Sequence, residues 1–338
     1  MSTLPKTCLV AGDVGGTKTR LGLFVPGKTR PRILCAKTYA SNQAGDLGEL
    51  VLRFLGNRSE QVVAACFGVP GPVLNGRCRT TNLPWEVSER GLRRRFGWKR
   101  VRLINDVQAT ALALPLLRGR ELFSLQGGRA DPRGLRVLVA PGTGLGLALV
   151  LPSAPGFRAL PSEGGHADFA PRNEREVDLH RYLSLRFGHV SLERVLSGPG
   201  LAHIYSWLRD TKPGREPAWL AEALNTRDPA EVISQAALSR KDARCVRALE
   251  IFTEILGATA GNLALTAMAT GGVYLGGGIP PKILPVLKGQ GFAKAFADKG
   301  RFREWARKIP VRVILNDAAA LLGSAQHAGR STSEPRPR

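Results

Sequence analysis

No apolar stretch in this 338-residue chain is long enough to span a bilayer. The most apolar helical run, Val107–Leu117, is short and is interrupted by Pro115. The segment Met1–Thr7 carries one lysine and lacks the apolar core of a signal peptide, so a cytoplasmic location is the expectation. Cysteines are few: Cys8, Cys35, Cys66, Cys78 and Cys245 are scattered, odd in number and never spaced Cys-x-x-Cys. That pattern supports neither a disulfide framework nor a zinc knuckle. Cys8, Cys35 and Cys66 fall in or beside apolar strand-like runs and read as buried free thiols. Acidic residues are the scarce charge, 27 Asp and Glu against 49 Lys and Arg, a net +22. The excess is densest over Arg90–Arg102, Arg-Gly-Leu-Arg-Arg-Arg-Phe-Gly-Trp-Lys-Arg-Val-Arg. Such a run suits a phosphate backbone, yet no helix-turn-helix, zinc finger or aromatic-interleaved RNA motif accompanies it. A solvated helix end is the preferred reading, with the excess charge steering anionic nucleotides. No specific nucleic-acid partner and no membrane partner are expected.

What the chain does have is enough length for two domains, with the hydrophobic content (43%) of a globular protein. It also has two similar glycine-rich turns. Gly12-Asp-Val-Gly-Gly-Thr17, continuing Lys18-Thr-Arg20, lies between the apolar runs Leu9–Ala11 and Leu21–Val25. Pro141-Gly-Thr-Gly-Leu-Gly146 lies between Val137–Ala140 and Leu147–Leu151. Glycine permits the tight bend that lets successive N–H groups converge on phosphate oxygens, and threonine adds a hydroxyl donor. Two such hairpins, opening what read as two half-molecules, point to a nucleotide held between domains.

Strands are expected at Thr7–Asp13, Arg20–Val25, Ile33–Tyr39, Gln61–Gly68, Val101–Ile104, Gly272–Leu275 and Val311–Leu315. Helices are expected at Asp46–Leu55, Ser88–Phe96, Val107–Leu117, Asn173–Phe187, Ala243–Thr270, Pro280–Leu287 and Asp317–Ala328. Gln126–Gly134 reads as a loop. Strands alternating with helices give an α/β layer architecture. The Ala243–Thr270 segment is rich in small residues, as a helix in a close-packed crossing would be.

Several polar residues are placed for chemistry. Asp13 ends a strand inside the first turn, suited either to hydrated Mg²⁺ beside phosphate or to hydrogen-bonding the turn's own backbone. Lys18 either adds a charge near phosphate or points to solvent. Asn105-Asp106 follow an apolar strand at the edge where α/β ligands bind. An Asp at that edge can accept a proton from a substrate hydroxyl, with the neighbouring amide bonding another hydroxyl, or the pair can simply cap the helix that follows. Both can hold, one residue for each job; on these residues alone the cap is preferred. Ser162-Glu-Gly-Gly-His166 reads as a glycine-hinged cluster, with Glu163 and His166 suited to a polyol; a metal site there, with Asp168, lacks a third ligand. Glu193 reads either as a hydroxyl acceptor or as an exposed helix residue. Gly276-Gly-Gly278, after a strand and before a Pro-initiated helix, suits close backbone approach to a nucleotide.

Together these segments resemble the bacterial glucokinase family of the hexokinase/actin-like ATPase superfamily, from Leu9 to about Ala328. The matching segments include Thr81-Asn-Leu-Pro-Trp85, Ile104-Asn-Asp106, Leu160-Pro-Ser-Glu-Gly-Gly-His166 and Ala167-Asp-Phe-Ala-Pro171. They continue with Gly188-His-Val-Ser-Leu-Glu-Arg-Val-Leu-Ser-Gly-Pro-Gly200, Gly261-Asn-Leu-Ala-Leu265, Gly276-Gly-Gly-Ile279 and Asp298-Lys-Gly-Arg-Phe302. The Cys-rich zinc motif of the repressor–ORF–kinase relatives is missing near His166, which places the chain outside that branch and argues against zinc. Lys18 departs from the Asn often found there.

The resemblance implies two actin-like (ribonuclease H-like) α/β domains with a central cleft. Their limits are residues 1–116 and 117–315, with a helix at 316–328 returning to the first domain and a disordered tail at 329–338. It implies a glucokinase using ATP with Mg²⁺ on D-glucose, usually a homodimer. Gly12, Asp13, Val14, Gly15, Gly16 and Thr17, with Gly142, Thr143, Gly144 and Gly276, Gly277, Gly278, would hold the nucleotide, Asp13 reaching the metal through water. Asp106 would be the base, and Asn105, Asp106, Glu163, His166 and Glu193 would bind glucose. Two other functions compete. A sugar-responsive regulator would need a preceding DNA-binding domain, for which Asp13 is expected to lie too near the N-terminus. A switch-type ATPase would leave Glu163, His166 and Glu193 without a sugar.

Overall fold

The computed structural model describes residues 7–56, 61–80, 83–154 and 156–330. The chain divides into two units: residues 1–119, 153–161 and 316–338 form unit 1, and 120–152 with 162–315 form unit 2. Among the described residues no helix is long and apolar enough to cross a membrane.

Unit 1 opens with β1 (Thr7–Val14) and β2 (Lys18–Val25), an antiparallel hairpin extended by β3 (Arg32–Ala40). Next come α1 (Leu47–Leu55), β4 (Gln61–Val69), the short ribbon β5 (Arg77–Arg79) and β6 (Glu86–Ser88), α2 (Glu89–Phe96), β7 (Val101–Asn105) and α3 (Asp106–Ala113). The sheet runs β3-β2-β1-β4-β7, with β4 parallel to both β1 and β7. β1 lies centrally, so nearly all of it is buried and it reads as a continuous apolar run. In α1, Leu47, Leu50, Val51 and Phe54 bury one face, and the Asp46 carboxylate caps the helix by accepting from Glu49 N. α3 ends at Ala113 and tightens into a 3₁₀ turn, Leu114–Leu116, because Pro115 offers no N–H for a longer α-helix.

Unit 2 contains β8 (Leu122–Gln126), β9 (Arg136–Pro141) and β10 (Leu145–Pro152). Then β11 (Phe157–Ser162) starts within the stretch assigned to unit 1. The chain continues through α4 (Glu174–Phe187), α5 (Gly198–Thr211), α6 (Ala218–Thr226), α7 (Pro229–Leu238) and α8 (Ala243–Thr266). It finishes with β12 (Gly272–Leu275), α9 (Leu284–Leu287), α10 (Gln290–Ala297), α11 (Arg303–Lys308), β13 (Val311–Ile314) and α12 (Ala319–Arg330). Here β10, β9, β12, β13 and β8 are successive neighbours, with β12 parallel to β9 and β13. The small residues of α8 do make a close crossing: a Cβ at Gly257 or Gly261 would stand 2.3 or 2.4 Å from the carbonyl of Phe292 or Phe296 on α10. α12 belongs to unit 1, where it packs on α3 and hydrogen-bonds β1 through Ser324 Oγ, which donates to Gly12 O at 3.0 Å.

Three expectations need correction. Pro280–Leu287 is mostly turns, with only Leu284–Leu287 helical, because Pro285 has no N–H to bond Pro281 O and its ring would clash with that carbonyl in a longer helix. The final helix continues through Gly329 and Arg330, the guanidinium of Arg330 donating to Phe157 O; residues 331–338 lie outside the described residues. Cys8 and Cys66 are buried, whereas Cys35 is only half-buried because β3 is an edge strand.

Candidate active site

Each glycine turn is closed by one backbone hydrogen bond, across four residues in the first and three in the second. In the first, Gly15 N donates to Lys18 O at 2.9 Å, closing the bend between β1 and β2. In the second, Gly142 N donates to Gly144 O at 2.8 Å, closing the bend between β9 and β10. Among the described residues neither Gly16 and Thr17 nor Thr143 and Gly144 have an acceptor for their amides. Each turn therefore presents two N–H groups in succession, the arrangement that binds an anion. Gly12 and Val14 stay within β1 and are buried, so they shape the first turn from behind. A Cβ on Gly12 would fall 2.4 Å from the Phe67 ring.

Ser41, from a distant segment, braces the first turn: its Oγ donates to Gly15 O at 2.7 Å, lies 2.9 Å from Thr19 Oγ1, and its N–H reaches Thr17 O. No sequence signal marked it. The Lys18 side chain is exposed.

In unit 2 the Gly276–Gly278 segment lies against the second turn. Gly276 N donates to Val139 O and Ile279 N to Pro141 O. Gly277 has φ +76°, and a Cβ there would lie 2.4 Å from Pro141 O, so glycine is required twice over. The expected helix N-terminus behind this run is absent, since helix begins only at Leu284. Gly142, Thr143 and Gly144 with Gly276, Gly277 and Gly278 thus form one glycine-lined surface.

At the carboxyl edge of the unit 1 sheet the division of labour between Asn105 and Asp106 is clear. Asn105 caps α3: its Oδ1 accepts from Val107 N at 2.9 Å and Gln108 N at 3.3 Å, while its Nδ2 donates to Gly71 O. Asp106 is left as the acidic side chain of the first turn, one oxygen accepting from Val107 N at 2.9 Å. Asp13 pairs with Gly68 in the β1–β4 register, and a Cβ on Gly68 would lie 3.5 Å from Asp106 Cα. Burial, and then the charge of Asp106, push the Asp13 carboxyl up to about 6, with Arg20 opposing. Arg20 is held by Asp317 at 3.0 Å. Two carboxylates beside a phosphate-type turn, one resisting ionisation, suit a hard divalent cation.

The second polar cluster lies in unit 2. Glu163 precedes a 3₁₀ turn, Gly164–His166, and both carboxylate and imidazole are largely exposed, 4.0 Å apart. Gly165 is buried, and a Cβ there would stand 2.2 Å from Leu145 O, so close packing demands glycine at that position. Glu193 sits in an irregular segment, not on a helix. Its N–H donates to Gly165 O at 2.9 Å, and its carboxylate accepts from Leu145 N at 2.8 Å. Glu193 therefore joins the Glu163–His166 cluster to the second phosphate-type turn. Asp168 pairs with His189 at 2.8 Å, and among the described residues no three His, Cys, Asp or Glu gather as a metal group. Thr81 and Asn82 lie outside the described residues. The basic run is partly neutralised: Arg95 pairs with Asp46 at 2.9 Å and Arg102 with the buried Glu89 at 3.3 Å.

Comparison with known proteins gives this layout a family. The Glucokinase family model matches residues 10–331. The chain belongs to the glucokinase family. A glucokinase of Synechocystis sp. is 41% identical, over 95% of this chain and 98% of its own length. One from Chromobacterium violaceum is 44% identical, over 94% and 88% respectively. The crystal structure of a glucokinase from an Antarctic psychrotroph superposes with a TM-score of 0.85 at 30% identity, covering 96% of this chain and 99% of that one. Membership accounts for the mixed α/β fold.

Proposed function

We propose that this chain is an ATP-dependent glucokinase that transfers the γ-phosphoryl group of ATP to the 6-hydroxyl of D-glucose, giving glucose 6-phosphate and ADP. The observation that carries the reading is at the end of β7: Asn105 does the capping, and a carboxylate, Asp106, stands next to Asp13 and the first glycine turn. The reading includes a cytoplasmic enzyme that works as a homodimer.

Phosphoryl transfer has a loose transition state, so in-line positioning and charge stabilisation supply most of the rate. The free amides of Gly16, Thr17, Thr143 and Gly144 bind phosphate oxygens, and Gly276–Gly278 admit the nucleotide closely. Asp13 would hold Mg²⁺ through water, and the cation would offset phosphate charge. Glu163, His166 and Glu193 take glucose hydroxyls, Asn105 adding its amide. Asp106 orients the attacking hydroxyl and accepts its proton late, once the oxygen bonds phosphorus and has become acidic. A base that is weak but ionised then suffices.

The assay that tests the reading is coupled initial-rate kinetics across several hexoses and phosphoryl donors. Glucose with ATP is expected to give the highest kcat/KM; no turnover of any hexose would end it. Glu163→Ala is expected to weaken glucose binding at least tenfold and to leave ATP binding within twofold by calorimetry. Equal losses for both ligands would contradict the sugar role.

Asp13 gives a pH prediction in EDTA. Its carboxyl ionises near 6 in the folded chain against an ordinary 3.8. Between those values the folded state binds more protons than the unfolded one, so this group's contribution falls as pH rises and is lost above about 6. Asp13→Asn is therefore expected to be more stable than wild type at pH 7.5, by on the order of 2 kcal/mol. The gap should close towards pH 4. Urea unfolding at both pH values checks it, and a pH-independent difference would refute the burial argument.

A further inference from the structure

In unit 2 the six residues Glu193–Gly198 hold the second glycine turn at both of its ends. At one end Gly198 N donates to Gly142 O at 2.8 Å, and at the other the Glu193 carboxylate accepts from Leu145 N at 2.8 Å. Between these clamps lie Thr143 and Gly144, whose amides are the pair left for an anion. The second clamp is close: a Cβ on Gly144 would stand 2.5 Å from Glu193 Oε2. Leu145 N takes that oxygen and leaves Oε1 for the sugar hydroxyl assigned to Glu193 above. One side chain closes the six-residue segment on itself. Ser197 is 2% exposed, and its Oγ donates to Glu193 O at 2.8 Å while accepting from Gly200 N at 3.0 Å. The second contact is the N-cap of α5. The first-turn donors of α5 are all spent inside the protein: Gly198 N on Gly142 O, Gly200 N on Ser197 Oγ, and Pro199 has none. The start of α5 is therefore committed to holding the turn and its brace.

We infer that Ser197 is a positioning residue for the proposed phosphoryl transfer, fixing the Glu193 carboxylate relative to the Thr143 and Gly144 amides so that sugar and triphosphate are presented together. Its hydroxyl is spent on backbone groups, so it acts through Glu193 and through the bond from Gly198 to Gly142. In-line transfer depends on alignment, and a small displacement of either ligand is costly. The brace needs a side chain that donates to one carbonyl and accepts from one amide. A serine hydroxyl does both, whereas an ionised Asp, an equally good cap, only accepts. The identity of the two ligands rests on the glucokinase reading; the bracing itself does not.

Variants of the full chain separate the brace from the cap. Ser197→Gly keeps most of the capping strength and removes the donor to Glu193 O, whereas Ser197→Thr keeps both. Initial-rate kinetics on Ser197→Gly are expected to show KM for glucose and for ATP each raised about fivefold, the scale of one lost hydrogen bond. Ser197→Ala, which lacks the hydroxyl without added backbone freedom, is expected to match it, and Ser197→Thr to stay within twofold of wild type. A merely structural role would lower kcat per mole of chain and leave both KM values in place. Wild-type KM values in Ser197→Gly and Ser197→Ala would overturn the inference and leave the kinase reading standing. So would a Ser197→Thr variant as impaired as the other two, since the hydroxyl would then not be what matters. Calorimetry with glucose and with adenylyl imidodiphosphate, an ATP analogue that does not transfer its terminal phosphoryl group, reads the brace without turnover. Weaker binding of both to Ser197→Gly, in a chain whose wild type phosphorylates no sugar, would uphold the brace and end the kinase reading alone.

Discussion

Asp106→Asn is expected to lower kcat by about 10²–10⁴-fold, the range for loss of a general base, with glucose and ATP affinities nearly unchanged. Asn is nearly isosteric, so its amide oxygen can still accept from Val107 N, the 2.9 Å contact that Asp106 makes at the first turn of α3. Asn105 keeps the cap in any case. What disappears is the negative charge that accepts the hydroxyl's proton. The same substitution removes a repulsion from Asp13, whose carboxyl should then ionise at lower pH. Calorimetry for both ligands, with single-turnover kinetics, separates these effects. A kcat close to wild type would end the assignment of Asp106 as base.

Gly323→Ala is expected to destabilise unit 1 by about 3 kcal/mol or more, the upper end for overpacking. Gly323 lies on α12, and a Cβ there would stand 1.8 Å from Ala109 O and 3.1 Å from Ala113 N, both backbone atoms of α3. No rotamer change relieves a clash with backbone, so the two helices must separate. α12 also packs on β1 and β4. Moving it would disturb the strand that ends at Asp13 and the helix that begins at Asp106. Urea unfolding should show the loss, with Gly127→Ala as a control, because nothing lies within 4 Å of its Cβ position. Wild-type stability in Gly323→Ala would mean that this helix crossing is looser than described.

How far the candidate site was legible depended on whether its chemistry is local. The glycine turns could be read because a tight bend with amides left over is a property of four or five consecutive residues. The Asn105-Asp106 pair could be read as one cap and one acidic side chain, though not which residue did which. Gln108 N at 3.3 Å from Asn105 Oδ1 settles the cap. Glu193 was harder. On a helix it would be a solvated side chain, and its link to Leu145 N arises only because Leu145 lies 48 residues away in sequence but adjacent in space. Ser41 is the same case at a separation of 26 from Gly15.

By itself the sequence determined the α/β layering, the two hairpins, the apolar face of α1 and the small-residue crossing of α8, because periodicity and glycine content act over neighbouring residues. Only the tertiary structure decided that β8 pairs with β13, that Pro280–Leu287 is mostly turns, and that Gly165 is a packing requirement. Those outcomes turn on backbone atoms brought within a few ångströms from far along the chain. Close approach of that kind leaves no periodic trace in the residues that make it.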